Sequence, residues 1–139
     1  MEKVKTAWWR YVLATLVFVV IHFLAPGLIA IISRFLDLFT PGYLRGSEAE
    51  SITWAWFIGY ILTSVLNCQA VLALTKEKQI FVGVLALIAA AYSLFVSAWN
   101  YALGYNSLSV TISIIAGGIT YLVVGVSMFA AHKRASEGK

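Results

Sequence analysis

The sequence predicts an all-α integral membrane protein, a four-transmembrane-helix bundle in which both termini are cytoplasmic. Its 139 residues are 61% hydrophobic and 12% charged, whereas a soluble domain has about 45–50% apolar and about 25% charged residues. Four windows reach the roughly 20 apolar residues that cross a bilayer. Most basic residues also lie at the window ends that face the same side of the membrane. Together these observations predict one membrane domain over residues 1–139.

The four predicted spans cover about residues 7–36, 48–74, 78–103 and 107–131. They leave no soluble part long enough to bury a core of its own. Each window is too long for a barrel strand, and a helix satisfies its own backbone hydrogen bonds in lipid. The first window has a basic start like a secretory signal, but its apolar run exceeds the 7–15 residues of such a signal. We therefore expect a retained first span.

Turn and capping residues separate the spans. A Thr-Pro-Gly sequence at 40–42 marks a turn after the first span. Ser47 and Glu50 form a capping-box signature, which predicts that the second helix begins near Glu48. The polar residues 75–79 predict a tight hairpin. Residues 104–107, Gly-Tyr-Asn-Ser, close the third span and cap the fourth.

The distribution of basic residues predicts the orientation. Eight of the ten Lys and Arg residues precede span one, join spans two and three, or follow span four. The positive-inside rule therefore places both termini in the cytoplasm. We expect a multi-pass protein of a prokaryotic inner or plasma membrane. The eight residues are Lys3, Lys5, Arg10, Lys76, Lys78, Lys133, Arg134 and Lys139.

Enzymatic activity, a cofactor and a metal site are not expected. Cys68 is the only cysteine, there are two histidines, and none of the six acidic residues lies toward the middle of a span, since Glu48 and Glu50 stand at the outer start of the second. No nucleophile–base pair, metal-ligand spacing or phosphate-binding glycine loop is present. A carboxylate-based proton exchange at the membrane centre is also not expected. Nucleic-acid binding is not expected, because the predicted orientation accounts for the net charge of +4.

Span three contains a stripe of small and polar residues. Helices in a bilayer associate through such residues, because lipid gives no hydrophobic driving force between them. We predict that the stripe faces other helices, while the opposite face, including Leu87 and Leu94, faces lipid. Its polar members either line a pathway or serve packing alone. The stripe comprises Gly83, Ala86, Ala90, Ser93, Ser97, Asn100 and Gly104.

Span four repeats this pattern more weakly. Gly118 and Gly125 lie on a neighbouring stripe, so span four is expected to contact two helices. The main stripe of span four comprises Ser109, Ser113, Gly117, Thr120 and Ser127.

Each span carries one polar-tipped ring at a similar depth. His22 lies about fourteen residues from the outer end of its span, or roughly 21 Å at about 1.5 Å per residue. Tyr60, Tyr92 and Tyr121 lie at comparable depths in the other spans. An ionisable residue at this depth is a candidate functional site. The alternative is a structural histidine bonded to a tyrosine or a backbone carbonyl.

Pro26 and Asn67 extend this candidate site. Proline has no N–H group, so Pro26 removes the helical hydrogen bond to the carbonyl of His22 and predicts a bend there. Such a bend either makes a concavity that can bind a ligand or only fits span one around its neighbouring helices. Asn67 continues the face of Tyr60, and it either joins helices or lines an inner vestibule.

Charged residues at the outer end of span one suggest a second candidate site. Arg34 and Asp37 are one helical turn apart and can form an interfacial ion pair. Alternatively, Arg34 and Arg45 form an outer mouth that attracts anions.

Two functions remain after these exclusions. The first is a channel or transporter that acts as a homo-oligomer and has a polar site near the bilayer midplane. The second is a non-catalytic subunit that assembles with a larger membrane complex. Four helices rarely enclose a wide pore, so the first function is expected to require several copies. The expected partners are the lipid bilayer and either further copies of the chain or a larger complex.

Overall fold

A computed structural model describes residues 7–39, 48–76 and 78–137, and it contains four α-helices and no strand within these ranges. Each helix includes a segment long and apolar enough to cross a membrane. The all-helical prediction is therefore confirmed, and the four segments suggest a multi-pass membrane protein. The helices are α1 (Trp8–Phe39), α2 (Glu48–Leu74), α3 (Gln79–Ala102) and α4 (Leu108–Glu137).

The helix ends agree with the turn and capping signals. Helix α2 begins at Glu48, as predicted. Gly104 follows α3 with a φ of 74°, a left-handed conformation that glycine adopts without a steric penalty. The Ser107 hydroxyl accepts a hydrogen bond from the Val110 N–H at 3.4 Å and so caps α4. Ser47 and the predicted turn at 40–42 lie outside the described residues.

Two helices extend beyond the predicted spans. Helix α1 continues to Phe39 and α4 to Glu137, past the predicted ends at residues 36 and 131. In the last turns of α4, Lys133 and Glu137 form an i,i+4 ion pair at 3.7 Å. Such polar residues support a helix without an apolar environment. The end of the apolar window is therefore not the end of the helix.

The helices are arranged around the bundle in the order α1, α2, α4, α3. The closest pairs are α3 with α4, α1 with α2, and α2 with α4, whereas α2 and α3 meet sparsely. Helices α1 and α3 meet through aromatic rings. Tyr11 and Phe81 have centroids 4.9 Å apart, and His22 and Tyr92 have centroids 5.9 Å apart.

The small-residue stripe of span three packs against α4. Five of its seven predicted members are buried. A Cβ atom added to Gly83 would lie 3.3 Å from the Gly125 carbonyl, and one added to Gly125 would lie 3.3 Å from the Gly83 carbonyl. The two backbones are therefore in direct contact. The five buried residues are Gly83, Ala86, Ala90, Ser93 and Ser97.

The two stripes of α4 face different helices, as predicted. A Cβ atom at Gly117 would meet Tyr60 of α2 at 3.2 Å, whereas one at Gly118 would meet Leu94 of α3 at 3.2 Å. Ser113 is also buried. Adjacent glycines thus allow α4 to approach α2 and α3 together.

Several residues of α3 and α4 do not lie where their helical spacing predicts. The prediction that Leu87 and Leu94 point away from the other helices is wrong: both are half-buried and pack against Gly125 and Gly118 of α4, where the absence of a glycine side chain leaves room for a leucine. Gly104 is exposed and belongs to the turn after α3. Ser127 is also exposed, and its hydroxyl donates to the Val123 carbonyl at 2.7 Å. Thr120 is half-buried, and the side chain of Ser109 lies outside the described ones.

The distribution of polarity suits a hydrocarbon environment. Large apolar side chains such as Leu24, Ile88 and Phe95 are more than half exposed on the outside of the bundle. The interior contains small residues and buried polar ones. A soluble protein of this size would bury its large apolar side chains instead. The buried polar residues include Ser64, Asn67, Thr75, Ser93, Ser97, Thr111 and Ser113.

Candidate functional site

Side chains from three helices form a hydrogen-bonded chain near the middle of the bundle. The Asn67 amide donates to the Phe18 carbonyl at 3.0 Å and to the Tyr121 hydroxyl at 2.9 Å. The Tyr121 hydroxyl lies 3.3 Å from Nδ1 of His22. We refer to His22, Asn67 and Tyr121 as the central network. It connects α1, α2 and α4.

The donors and acceptors of the central network can be assigned from its chemistry. The Phe18 carbonyl can only accept, so the Asn67 NH₂ group must face it. Asn67 uses one N–H for this bond and the other for Tyr121. When the Tyr121 hydroxyl donates its single proton to Nδ1, His22 carries its own proton on Nε2. Oδ1 of Asn67 is buried and has no hydrogen-bond partner within the described ranges.

Ser64 adds a second polar contact between α2 and α4. Its hydroxyl lies 2.8 Å from the Tyr60 carbonyl and 3.2 Å from the Gly117 carbonyl, and it can donate to either. Neither Ser64 nor the Phe18 carbonyl was among the site groups predicted from the sequence. Ser64 is four residues after Tyr60 and three before Asn67, so helical spacing places it on the same face. That spacing could have identified it.

A cavity of about 140 Å³ lies beside the central network and is lined by residues of all four helices. Tyr60 and Tyr92 both reach it, together with His22. The Tyr60 ring is stacked on Trp56 with centroids 5.8 Å apart. The lining residues are His22, Phe23, Tyr60, Tyr92, Ser93, Val96 and Ile114. We refer to this space as the central cavity.

A second space of about 330 Å³ lies between α1 and α3. It is lined mostly by apolar side chains and is open to the outside of the bundle. His22 and Tyr92 line both this groove and the central cavity, so the two rings form a shared wall. The lining residues are Thr15, Phe18, Val19, His22, Leu85, Ile88, Ala89 and Tyr92. We refer to this space as the lateral groove.

The structure therefore brings together most of the predicted midplane residues. His22, Tyr60 and Tyr92 share the central cavity with Ser93, and Tyr121 and Asn67 are hydrogen-bonded beside it. Their role as a ligand site stays a prediction.

Two predicted pathway residues lie away from the cavity. Ser97 is fully buried, and its hydroxyl donates to the Leu94 carbonyl of its own helix at 3.0 Å. Asn100 is half-buried near the end of α3, where its backbone carbonyl accepts from the Tyr105 N–H at 2.8 Å. Neither residue lines the central cavity, and both continue the small-residue stripe toward the end of α3.

The residues around Pro26 and the predicted outer mouth are only partly described. Helix α1 continues without interruption through Pro26. The structure does not describe the side chains of Pro26, Arg34 and Asp37. Arg45 lies outside the described residues. The outer mouth stays a prediction.

The chemistry available at this site is hydrogen bonding and proton exchange. An imidazole can accept and donate a proton near neutral pH, and phenols can relay hydrogen bonds. In the part of the chain that the structure describes, no three His, Cys, Asp or Glu residues come together as metal ligands.

Comparisons of the chain with models of protein families, with curated proteins and with solved structures find no match.

Proposed function

We propose that the protein is a small membrane channel or transporter that acts as an oligomer and uses the central network as its polar site. The observation that carries the proposal is the contact of His22 with both the central cavity and the hydrogen-bonded chain to Tyr121 and Asn67. Polar and ionisable groups inside a membrane bundle commonly mark the path of a substrate or proton. The proposal includes the orientation that the basic residues predict, with both termini on the cytoplasmic side of a prokaryotic inner or plasma membrane.

The size of the central cavity supports an oligomer. Its volume of about 140 Å³ has room for only a few water molecules. Such a space suits a site or a short relay rather than a wide pore through one copy. A continuous wider path would therefore use a surface shared between copies.

The second candidate is a non-catalytic subunit of a larger membrane complex. The observation that favours it is that buried hydroxyl groups bond to backbone carbonyls. Ser64, Thr75 and Ser97 all donate to carbonyls of the bundle. Such bonds join or stabilise helices and do not require a ligand.

Flux measurements in liposomes test the proposal. Protons are the first probe because His22 and Tyr121 can exchange them, and Na⁺, K⁺ and Cl⁻ follow. The wild-type protein should increase flux of at least one ion above empty liposomes. His22→Ala should abolish that increase while its particle mass in mild detergent is unchanged. Leu24→Ala is the control, because Leu24 is 61% exposed on the outside of the same helix.

The same preparation distinguishes the two candidate functions. A homo-oligomer with flux that depends on His22 supports transport. A monomer that co-purifies with another membrane protein, and gives no flux above empty liposomes, supports the subunit function instead.

A further inference from the structure

We infer that the central cavity is a water-binding site, in which the Ser93 hydroxyl and the polar side chains around it hold a few ordered water molecules inside the bundle. The inference goes beyond the proposed function, because a hydrated cavity does not require that the protein transports an ion.

Ser93 is a buried residue whose hydroxyl the bundle itself does not satisfy. It is 6% exposed, lines the central cavity and makes no hydrogen bond to a described residue. Most other buried hydroxyl groups donate to backbone carbonyls, namely those of Ser64, Thr75, Ser97 and Thr111. A polar group without a partner is costly in a hydrocarbon environment. The Ser93 hydroxyl therefore calls for a partner that is not a side chain or a carbonyl of the bundle.

The accessible part of Ser93 opens to the central cavity. Among the described residues, Oδ1 of Asn67 is the fully enclosed side-chain atom that has no hydrogen-bond partner. The Ser93 hydroxyl also has no such partner but is not fully enclosed, so it keeps some accessible area. Because Ser93 lines the central cavity, a molecule in this cavity can reach its hydroxyl.

The wall of the central cavity offers water further hydrogen-bonding partners. Part of the wall is polar, and its polar side chains come from three helices. The Tyr60 and Tyr92 hydroxyls can each donate and accept, and neither makes a hydrogen bond to a described residue. A buried water molecule needs about two to four polar partners and enough room. The cavity, at about 140 Å³, supplies both. The polar side chains of the wall are His22, Tyr60, Tyr92 and Ser93.

The size and chemistry of the wall disfavour other occupants. The volume of about 140 Å³ is below the range of about 300–1,000 Å³ typical of small-molecule sites. A lipid acyl chain has no group that could bond to the Ser93 hydroxyl. Among the described lining residues there is no Lys, Arg, Asp or Glu, so an ion would have no counter-charge there. Water is small and uncharged, and it can both donate and accept.

Water at this position would also act on the central network. Asn67 and Tyr121 are 0% and 2% exposed, whereas His22 lines the central cavity. Bound water would therefore meet the network at His22, which is the residue that the proposed function requires for proton exchange.

Solid-state NMR of the full chain in lipid bilayers tests this inference, with water itself as the probe. Magnetisation that starts on water protons is transferred to protein carbons, and it builds up fastest at carbons next to bound water. The Ser93 Cβ signal should build up several-fold faster than that of Ser97. Ser97 is the matched control, because it is buried on the same helix but donates to the Leu94 carbonyl.

A cavity-filling variant tests whether the water lies in the central cavity. Val96 lines this cavity, so Val96→Phe should slow the build-up at Ser93 to the rate of Ser97. Ala98→Phe should leave the build-up at Ser93 unchanged, because Ala98 is exposed on the same helix and is not among the described lining residues. The comparison of Ser93 with Ser97 in the wild-type protein decides the inference even if Val96→Phe does not fold.

Two results would overturn the inference: equal build-up rates at Ser93 and Ser97 in the wild-type protein, and an unchanged rate at Ser93 in folded Val96→Phe. Water transfer does not require flux, so the two proposals can fail separately. Fast build-up at Ser93 in a protein that gives no ion flux contradicts only the proposed function. Flux that depends on His22, together with a dry Ser93, contradicts only this inference.

Discussion

Asn67 and Tyr121 form a hydrogen bond of 2.9 Å between two side chains that are almost fully enclosed, at 0% and 2% exposure. Asn67 belongs to α2 and Tyr121 to α4, and the same amide also binds the Phe18 carbonyl of α1. One asparagine therefore joins three helices. This contact stabilises the bundle whether or not a ligand binds beside it.

Tyr121→Phe should destabilise the bundle by about 1 kcal/mol. The substitution keeps the ring but leaves an Asn67 N–H and Nδ1 of His22 without their partner. Hydrogen bonds between membrane helices average about 0.6 kcal/mol, and a buried group without a partner costs about 1–3 kcal/mol. The free energy of unfolding in mixed micelles with increasing SDS is the measurement.

Tyr92→Phe is the control for this measurement. Tyr92 is 45% exposed and makes no hydrogen bond to a described residue, so the change in stability should be below about 0.5 kcal/mol. Equal losses for the two variants would show that the Tyr121 hydroxyl contributes nothing specific.

Gly125→Leu should destabilise the contact between α3 and α4 by about 2 kcal/mol or more. A Cβ at Gly125 would already lie 3.0 Å from the Leu87 side chain and 3.3 Å from the Gly83 carbonyl. Leu87 can shift, but the backbone carbonyl cannot, and overpacking typically costs about 1–3 kcal/mol. Gly27→Leu is the matched control, because a Cβ at Gly27 has no neighbour within 4 Å. Thermal unfolding in detergent should separate them, and a similar loss in both would contradict the close backbone contact.

Local signals in the sequence predicted the ends of α2 and α3 and the start of α4, and they predicted that the small-residue stripe of α3 faces other helices. A glycine that must adopt a positive φ, such as Gly104, and a capping serine, such as Ser107, act on their immediate neighbours. The small-residue stripe of α3 also depends only on helical spacing. These features need no knowledge of the partner helix.

The hydrogen-bond partners in the central network could not be predicted in the same way. Residue counting gives depth in the membrane but not the rotation of each helix about its axis. His22 therefore had three tyrosines at similar depth, and the structure places its Nδ1 near Tyr121 rather than Tyr60 or Tyr92. The position of Leu87 depends likewise on Gly125 of another helix.

Cysteine accessibility in cells should show that the α2–α3 hairpin is cytoplasmic. Lys78→Cys should not react with a membrane-impermeant maleimide from outside, whereas Tyr105→Cys should react. Both positions are exposed, and they lie at opposite ends of α3. The native Cys68 is 1% exposed and serves as the unreactive background. The opposite labelling pattern would reverse the orientation that the basic residues predict.

Combining Asn67→Leu with Tyr121→Phe should cost less than the sum of the two single changes. Each single substitution removes one partner of a buried hydrogen bond, whereas the double variant removes both. The expected coupling is about 0.6 kcal/mol and at most about 1.7 kcal/mol, the range found between membrane helices. Unfolding of the four proteins of the cycle gives this value directly.

Asn67→Leu with Tyr105→Phe is the control cycle, because Tyr105 is 76% exposed in the turn after α3. Its effects should add within about 0.5 kcal/mol. Additivity in the central pair as well would mean that Asn67 and Tyr121 stabilise the bundle independently.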